Sequence, residues 1–267
     1  MSRIKKVLLY PNPKKPDAEG NTEKVRNALD SLGIESEIYN SDRFDADAVI
    51  AIGGDGTMLW ASRLAWTHGI PLLGINCGTL GYMSGLEISE LGSLRLLQEE
   101  LETEKRMLTD VTLIRDGEVI AQQTALNEIV LERNSGEGIA SLDLSCDGIP
   151  VCGYRADGVI VATPTGSSAY ALSAGGPIID TKLDAFCVCA ICPHSLTARP
   201  LVFSANSRLE ITNVTEKELA NSLIADGRTV AGLKCGDVVR VEKSSKTLEL
   251  IRLKKDSFYE VLYRKLS

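Results

Sequence analysis

Residues 48–57, Ala-Val-Ile-Ala-Ile-Gly-Gly-Asp-Gly-Thr, constrain this chain more than any other stretch. Five apolar residues run without a polar break. That suits a strand buried on both faces, as in a parallel sheet covered by helices. Met58, Leu59, Ala61, Leu64 and Ala65 follow at helical spacing. The stretch therefore predicts a strand, a glycine turn and a helix. Glycines let the backbone turn sharply and approach a ligand closely. Peptide N–H groups at a helix start favour an anion, most often phosphate. Asp55 is the one carboxylate in that turn. Facing phosphate, it would hold a magnesium ion or accept a proton from an attacking hydroxyl. The alternative at this point is an ordinary turn or N-cap aspartate. The stretch is not the Gly-x-Gly-x-x-Gly dinucleotide fingerprint, and no Gly-Lys-Ser/Thr follows to make it a P-loop.

The neighbouring segments extend the same pattern. Lys6–Tyr10 predicts a first strand, Thr22–Leu32 a helix with Asn21 as N-cap and Gly33 as stop, and Glu35–Tyr39 a second strand. Pro71–Asn76 is another buried strand. This β-α-β-β-α-β order predicts a parallel, helix-covered sheet, with ligands beyond the carboxyl ends of its strands. Asn76–Met83 forms a second glycine-rich turn there, and it reads equally as a structural elbow. Leu91, Leu94, Leu97 and Leu101 predict a helix over Glu90–Glu102.

The texture changes after residue 106. Val111–Arg115, Asp116-Gly117 and Val119–Ala121 signal a hairpin. Short strands follow at Glu128–Glu132, Ser141–Cys146, Val159–Ala162, Asp184–Ile191, Arg208–Asn213 and Val238–Glu242. The fold class is thus an α/β N-terminal domain with a parallel sheet, plus an all-β, sandwich-like C-terminal domain. The expected domains are residues 1–106 and 107–247. The tail, 248–267, is expected to pack back on the first.

Composition excludes several classes. The chain has 267 residues, 44% hydrophobic and 24% charged, and its apolar runs are too short to span a bilayer. A net charge of −7 argues against nucleic-acid or acidic-membrane partners. The N-terminus shows no signal-peptide pattern, so a cytoplasmic protein with reduced thiols is expected. Cys187, Cys189 and Cys192 form the one cysteine cluster, inside an apolar strand where Cys acts as a small hydrophobe; no metal is expected there. With only His68 and His194 and no Gly-x-Ser-x-Gly elbow, a hydrolase triad fits badly.

Polar stretches interrupt the β region. In Asn127-Glu128 an amide sits beside a carboxylate, which suits the edge of a base or ribose hydroxyls, or a satisfied buried pair. Arg155-Ala156-Asp157-Gly158 is the next. Thr163–Pro177 is the densest run of small and hydroxyl residues, where Ser168, Ala169 and Ser173 would let a ligand close and Tyr170 offers a flat face for stacking. A capped strand-to-helix loop is the plainer reading. Ala225-Asp226-Gly227-Arg228 reads first as a hairpin turn.

Taken together and in order, Gly53–Thr57, Asn76–Met83, Asn127-Glu128, Asp157-Gly158, Thr163–Ser173 with Gly175-Gly176-Pro177, and Ile191–Pro200 resemble the NAD kinase family. The glycine turn alone is shared with lipid kinases; the Thr-Pro-Thr-Gly-Ser-Ser-Ala-Tyr run joined to Asn-Glu is far more specific. The resemblance implies transfer of the γ-phosphoryl of ATP to the 2′-hydroxyl of the adenosine ribose of NAD, giving NADP. It implies Asp55 as the catalytic proton acceptor, Gly54 and Gly56 against the ligand, and Asn127 and Glu128 as NAD contacts. Asp157 would lie near the nicotinamide end or a neighbouring subunit's adenine, and residues 168–173 would wall the adenosine. Arg155 resembles the basic residue of members that prefer NAD over NADH. Magnesium or another divalent cation and a homodimer or homotetramer are implied too. Arg63, Lys14 and Lys15 are candidates for the donor phosphates. A lipid or sugar kinase with the same cradle, or a non-catalytic NAD/ATP sensor, are the competing readings.

Overall fold

The computed structural model describes residues 4–15, 17–78, 81–217, 220–254 and 258–267, apart from the side chain of Leu266. Thr79 and Leu80 of the second glycine turn, and residues 255–257 of the tail, lie outside the described residues. The chain forms two compact units, Met1–Arg106 with Thr247–Ser267, and Met107–Lys246.

The first unit runs β1 (Lys6–Pro11), α1 (Ala18–Ser31), β2 (Glu35–Ile38), β3 (Ala48–Gly53), α2 (Asp55–His68) and β4 (Leu72–Asn76). The strands lie in the order β2-β1-β3-β4, all parallel. Every residue of β3 and β4 is buried, which is why their apolar runs have no polar alternation. Leu250 pairs in parallel with Leu72, so the tail adds a strand beside β4. Gly33 and Gly69 end the two helices at φ 68° and 66°.

Two elements differ from expectation. Helix α1 starts at Ala18, ahead of Asn21 and Thr22. Both are buried within the helix, and the Thr22 hydroxyl donates to the Ala18 carbonyl at 2.7 Å instead of capping a free N–H. The expected helix over Glu90–Glu102 is a 3₁₀ helix, Ile88–Gln98. Leu91, Leu94 and Leu97 recur every three residues, the period of a 3₁₀ turn, and they stack on one side of it.

The second unit is built from antiparallel pairs. One sheet has six strands in the order Leu201–Ser204, Ala185–Ile191, Gly158–Ala162, Glu128–Arg133, Asn221–Ala225 and Arg228–Leu233. Opposite it, Ile149–Ala156, Ala140–Cys146, Leu209–Asn213 and the first residues of Val238–Ile251 pair in that order. Alternate residues from both layers, among them Leu131, Val161, Phe186, Leu144, Ile211 and Val239, form one core. The other face of the six-stranded sheet buries Ile160, Cys187 and Cys189 against Ala171 and Ile179. That double burial explains its unbroken apolar strands. The turns Asp116-Gly117, Asp147-Gly148 and Asp226-Gly227 all have positive φ at both residues, the I′ geometry that matches strand twist.

Candidate active site

In the first unit, the peptide after β3 makes the cradle. Thr57 is tucked beneath Gly53 so closely that a Cβ on Gly53 would overlap the Thr57 hydroxyl. That hydroxyl accepts a hydrogen bond from Asn12 Nδ2 at 3.1 Å, tying the loop after β1 to the start of α2. Gly54 precedes α2 in extended conformation, and its carbonyl accepts from the N–H groups of Thr57 and Met58. A Cβ on Gly54 or Gly56 would meet nothing within 4 Å. Those two glycines border open space: a cleft of about 410 Å³ also lined by Asn12, Lys15, Asp55, Trp60, Asn76 and Lys265.

Asp55 is the first residue of α2. Its Oδ2 accepts from the Tyr82 N–H at 3.0 Å and its Oδ1 from the Met83 N–H at 3.2 Å. Gly81 is required beside it, since a Cβ there would collide with Oδ1. Two peptide donors therefore fix the carboxylate while lone pairs on both oxygens stay available. The Asn76–Met83 turn is thus more than an elbow: its peptides hold the acid. Asn76 is fully buried, and its Oδ1 has no hydrogen-bond partner among the described residues. Of the cations expected near the cradle, Lys15 lines the cleft, whereas Lys14 and Arg63 do not. Lys265, which sequence reasoning did not single out, does.

The second unit brings Asn127, Glu128 and the hydroxyl-rich run together. Thr163 N–H donates to the Asn127 carbonyl at 2.8 Å, and the Thr163 hydroxyl donates to the Leu126 carbonyl at 2.5 Å. Gly166 passes so close that a Cβ would strike the Asn127 carbonyl. Asp226 closes the arrangement. Its carboxylate accepts from the N–H groups of Leu126, Asn127 and Glu128 at 2.7, 2.8 and 3.3 Å. A residue read as a mere turn thus clamps a loop about 100 positions away in sequence. Its αL backbone, φ 47°, aims it there.

Clamping the loop leaves its side chains free. Asn127 Oδ1 and Glu128 Oε2 are buried and have no hydrogen-bond partner among the described residues. Glu128 is 7% exposed, and burial, together with the nearby Asp226 charge, pushes its carboxyl up to about 8. Burial also raises Asp226, against the pull of its three N–H donors and of Arg228. Glu128 is therefore the member of the pair that holds a proton near neutrality.

Ser168 and Ala169 are half-buried, while Tyr170 and Ser173 are exposed. The Ser168 hydroxyl donates to the Thr165 carbonyl at 3.2 Å, and Ser167 is a buried brace between Pro164 and Ile179. Partial burial raises the Tyr170 phenol, and the nearby charges of Glu132, Asp157 and Glu128 add to that. Asp157 pairs with Arg133 at 2.6 Å, and that hydrogen bond holds its carboxyl below the usual range. Arg155 is exposed, with its carbonyl accepting from the His194 N–H. Among the described residues no group of three or more His, Cys, Asp or Glu could hold a metal ion. Cys187 and Cys189 lie 3.4 Å apart within the core.

The family description "ATP-NAD kinase N-terminal domain" matches residues 3–99, and "ATP-NAD kinase C-terminal domain" matches residues 126–253. NAD kinase of Rhodopirellula baltica is 42% identical over 85% of this chain and 74% of its own length. NAD kinase of Symbiobacterium thermophilum is 42% identical over 84% of this chain and 79% of its own. The structure of an NAD kinase from Archaeoglobus fulgidus in complex with ATP superposes with a TM-score of 0.78 at 27% identity, covering 98% of each chain. Yeast NADH kinase complexed with NADH shares the fold, with a TM-score of 0.88 at 21% identity over 99% of this chain and 88% of that one. The chain belongs to the NAD kinase family.

Proposed function

We propose that this chain phosphorylates NAD at the 2′-hydroxyl of its adenosine ribose, with ATP as donor, and releases NADP and ADP. One observation carries the reading: a single carboxylate, Asp55, is held by two peptide N–H donors at the mouth of an open glycine cleft. The ribose oxygen attacks the γ-phosphorus, the bond to the β-bridging oxygen breaks, and the hydroxyl proton passes to Asp55. Gly54 and Gly56 leave room for donor phosphates against the N-terminal peptides of α2. Asn127 and Glu128 offer NAD one free acceptor and one carboxyl group, both already desolvated. Tyr170 stacks on a base, residues 168–173 wall the adenosine, and Asp157 and Arg155 contact the dinucleotide farther out.

The donor set suits magnesium held chiefly by ATP phosphates, with Asp55 the carboxylate in reach, because no three-carboxylate cage exists among the described residues. Bound there, magnesium neutralises phosphate charge. The protein's own share is positioning, which dominates phosphoryl transfer. We further propose a cytoplasmic homodimer or homotetramer. The polar lining of the cleft speaks against a lipid acceptor, and the fixed Asp55 carboxylate speaks against a sensor that only binds.

The test is NADP formation from NAD, ATP and magnesium, read by an NADP-specific dehydrogenase. Asp55→Asn should fold normally and lose roughly 10²–10⁴-fold in kcat. A fully active variant would remove Asp55 from the chemistry. A wild-type protein that binds both nucleotides without turnover would favour the sensor.

A further inference from the structure

We infer that Lys265, on the C-terminal helix Phe258–Leu266, is a binding residue for the donor triphosphate. The inference rests on the ATP-dependent reading above and deepens it. Residues 53–57 bring one negative charge and no cation to the cleft. A triphosphate adds about four more negative charges, so the cradle needs cations from elsewhere. Two line it, Lys15 and Lys265.

The position of Lys265 follows from helical geometry. Phe258, Val261, Leu262 and Lys265 recur at i, i+3, i+4 and i+7, so the lysine continues the apolar stripe of its helix. Phe258 and Val261 line a small cavity with Tyr82 and Glu87, which shows that this stripe is the docked side. Lys265 Nζ then sits 4.4 Å from the centre of the Tyr82 ring, with Phe258 6.4 Å from the same ring. An aromatic face steadies an ammonium without neutralising it. No carboxylate lies within ion-pair distance of Lys265 among the described residues, whereas Lys254 on the same tail is paired with Glu90. The peptide N–H of Tyr82 orients Asp55. One residue therefore holds the catalytic carboxylate through its backbone and parks a free cation through its ring. The helix Phe258–Leu266 lies beyond residue 253, where the match to the family's C-terminal domain ends.

The experiment is steady-state kinetics of Lys265→Gln with each substrate varied, plus calorimetric titration of ATP into the variant. A charge-assisted hydrogen bond at a solvent-facing site predicts roughly a tenfold rise in KM for ATP and a matching loss of ATP affinity. KM for NAD, kcat and the melting temperature should stay within error or twofold, and Lys265→Arg should restore most of the ATP affinity. An unchanged KM for ATP would overturn the inference. So would equal losses in both KM values together with a lower melting temperature, which would make Lys265 a structural residue of the tail. Wild-type protein that neither binds ATP nor forms NADP would instead overturn the reading on which the inference rests.

Discussion

Glu128→Gln tests the electrostatics of the loop proposed to contact NAD. The carboxyl is 7% exposed, and burial, with the Asp226 charge beside it, moves its midpoint from 4.5 to about 8. The Tyr170 phenol also feels the Glu128 charge. A midpoint raised in the folded chain means that the fold binds this proton more tightly than the unfolded chain does. The resulting stability is complete below about pH 4.5 and is lost as pH rises through about 8. The full interval corresponds to about 5 kcal/mol, an upper bound that relaxation and water entry reduce to a few kcal/mol. Glutamine has the same shape and no charge to desolvate. The variant should match wild type near pH 5 and exceed it in stability at pH 9, by at least about 2 kcal/mol. Urea unfolding of both proteins at four or five pH values between 5 and 9 reads the difference directly. Parallel curves, with a constant gap across that range, would refute a proton held on Glu128.

Two further substitutions probe the supports. Asp226→Asn removes the charge that binds three peptide donors, and its amide nitrogen cannot accept from any of them. It should cost about 2–3 kcal/mol, raise KM for NAD while leaving KM for ATP alone, and flatten the pH dependence just described. Unchanged unfolding and unchanged KM for NAD would show that the clamp is idle. Alanine at two glycines should separate room for a ligand from room for the fold. Gly166→Ala drives a Cβ into the Asn127 carbonyl and should destabilise by about 1–3 kcal/mol. Gly54→Ala points into empty cleft, so melting should hold while ATP affinity falls; a lowered melting temperature with intact ATP binding would contradict that.

Legibility in the sequence tracked how local each signal was. The unbroken run of β3, the glycine turn and the periodicity of α2 are contiguous, and the structure builds the strand, turn and helix they imply. Asp-Gly at 116, 147 and 226 encodes its own backbone geometry, and all three form hairpin turns. Elements whose pattern depends on neighbours were harder. Ile149–Ala156 carries no strand signal because Pro150, Gly153 and Arg155 break its alternation. As an edge strand with a bulge beside Pro150, it tolerates all three. The strand expected at Val238–Glu242 runs on to Ile251; Lys-Ser-Ser-Lys at 243–246 carries no strand signal, and pairing partners, not composition, keep it extended.

The same division runs through the candidate site. Asp55, Asn127, Glu128 and the 163–173 run stand out because the groups proposed to face the ligands cluster in short stretches. The groups that aim them do not. Asp226 clamps its loop through peptide N–H groups, a donor that every non-proline residue carries, so no residue pattern in 126–128 announces the partner. Tyr82 and Met83 hold Asp55 in the same sequence-blind way. Lys265 is visible only once the helix phase of the tail and the ring of Tyr82 are both in place. A backbone donor fixes a carboxylate without demanding a side chain. The peptide donors themselves set no residue type, whereas the acids at 55 and 226 are fixed by the bonds they accept, so substitutions of those acids should be costly out of proportion to the side-chain contacts they break.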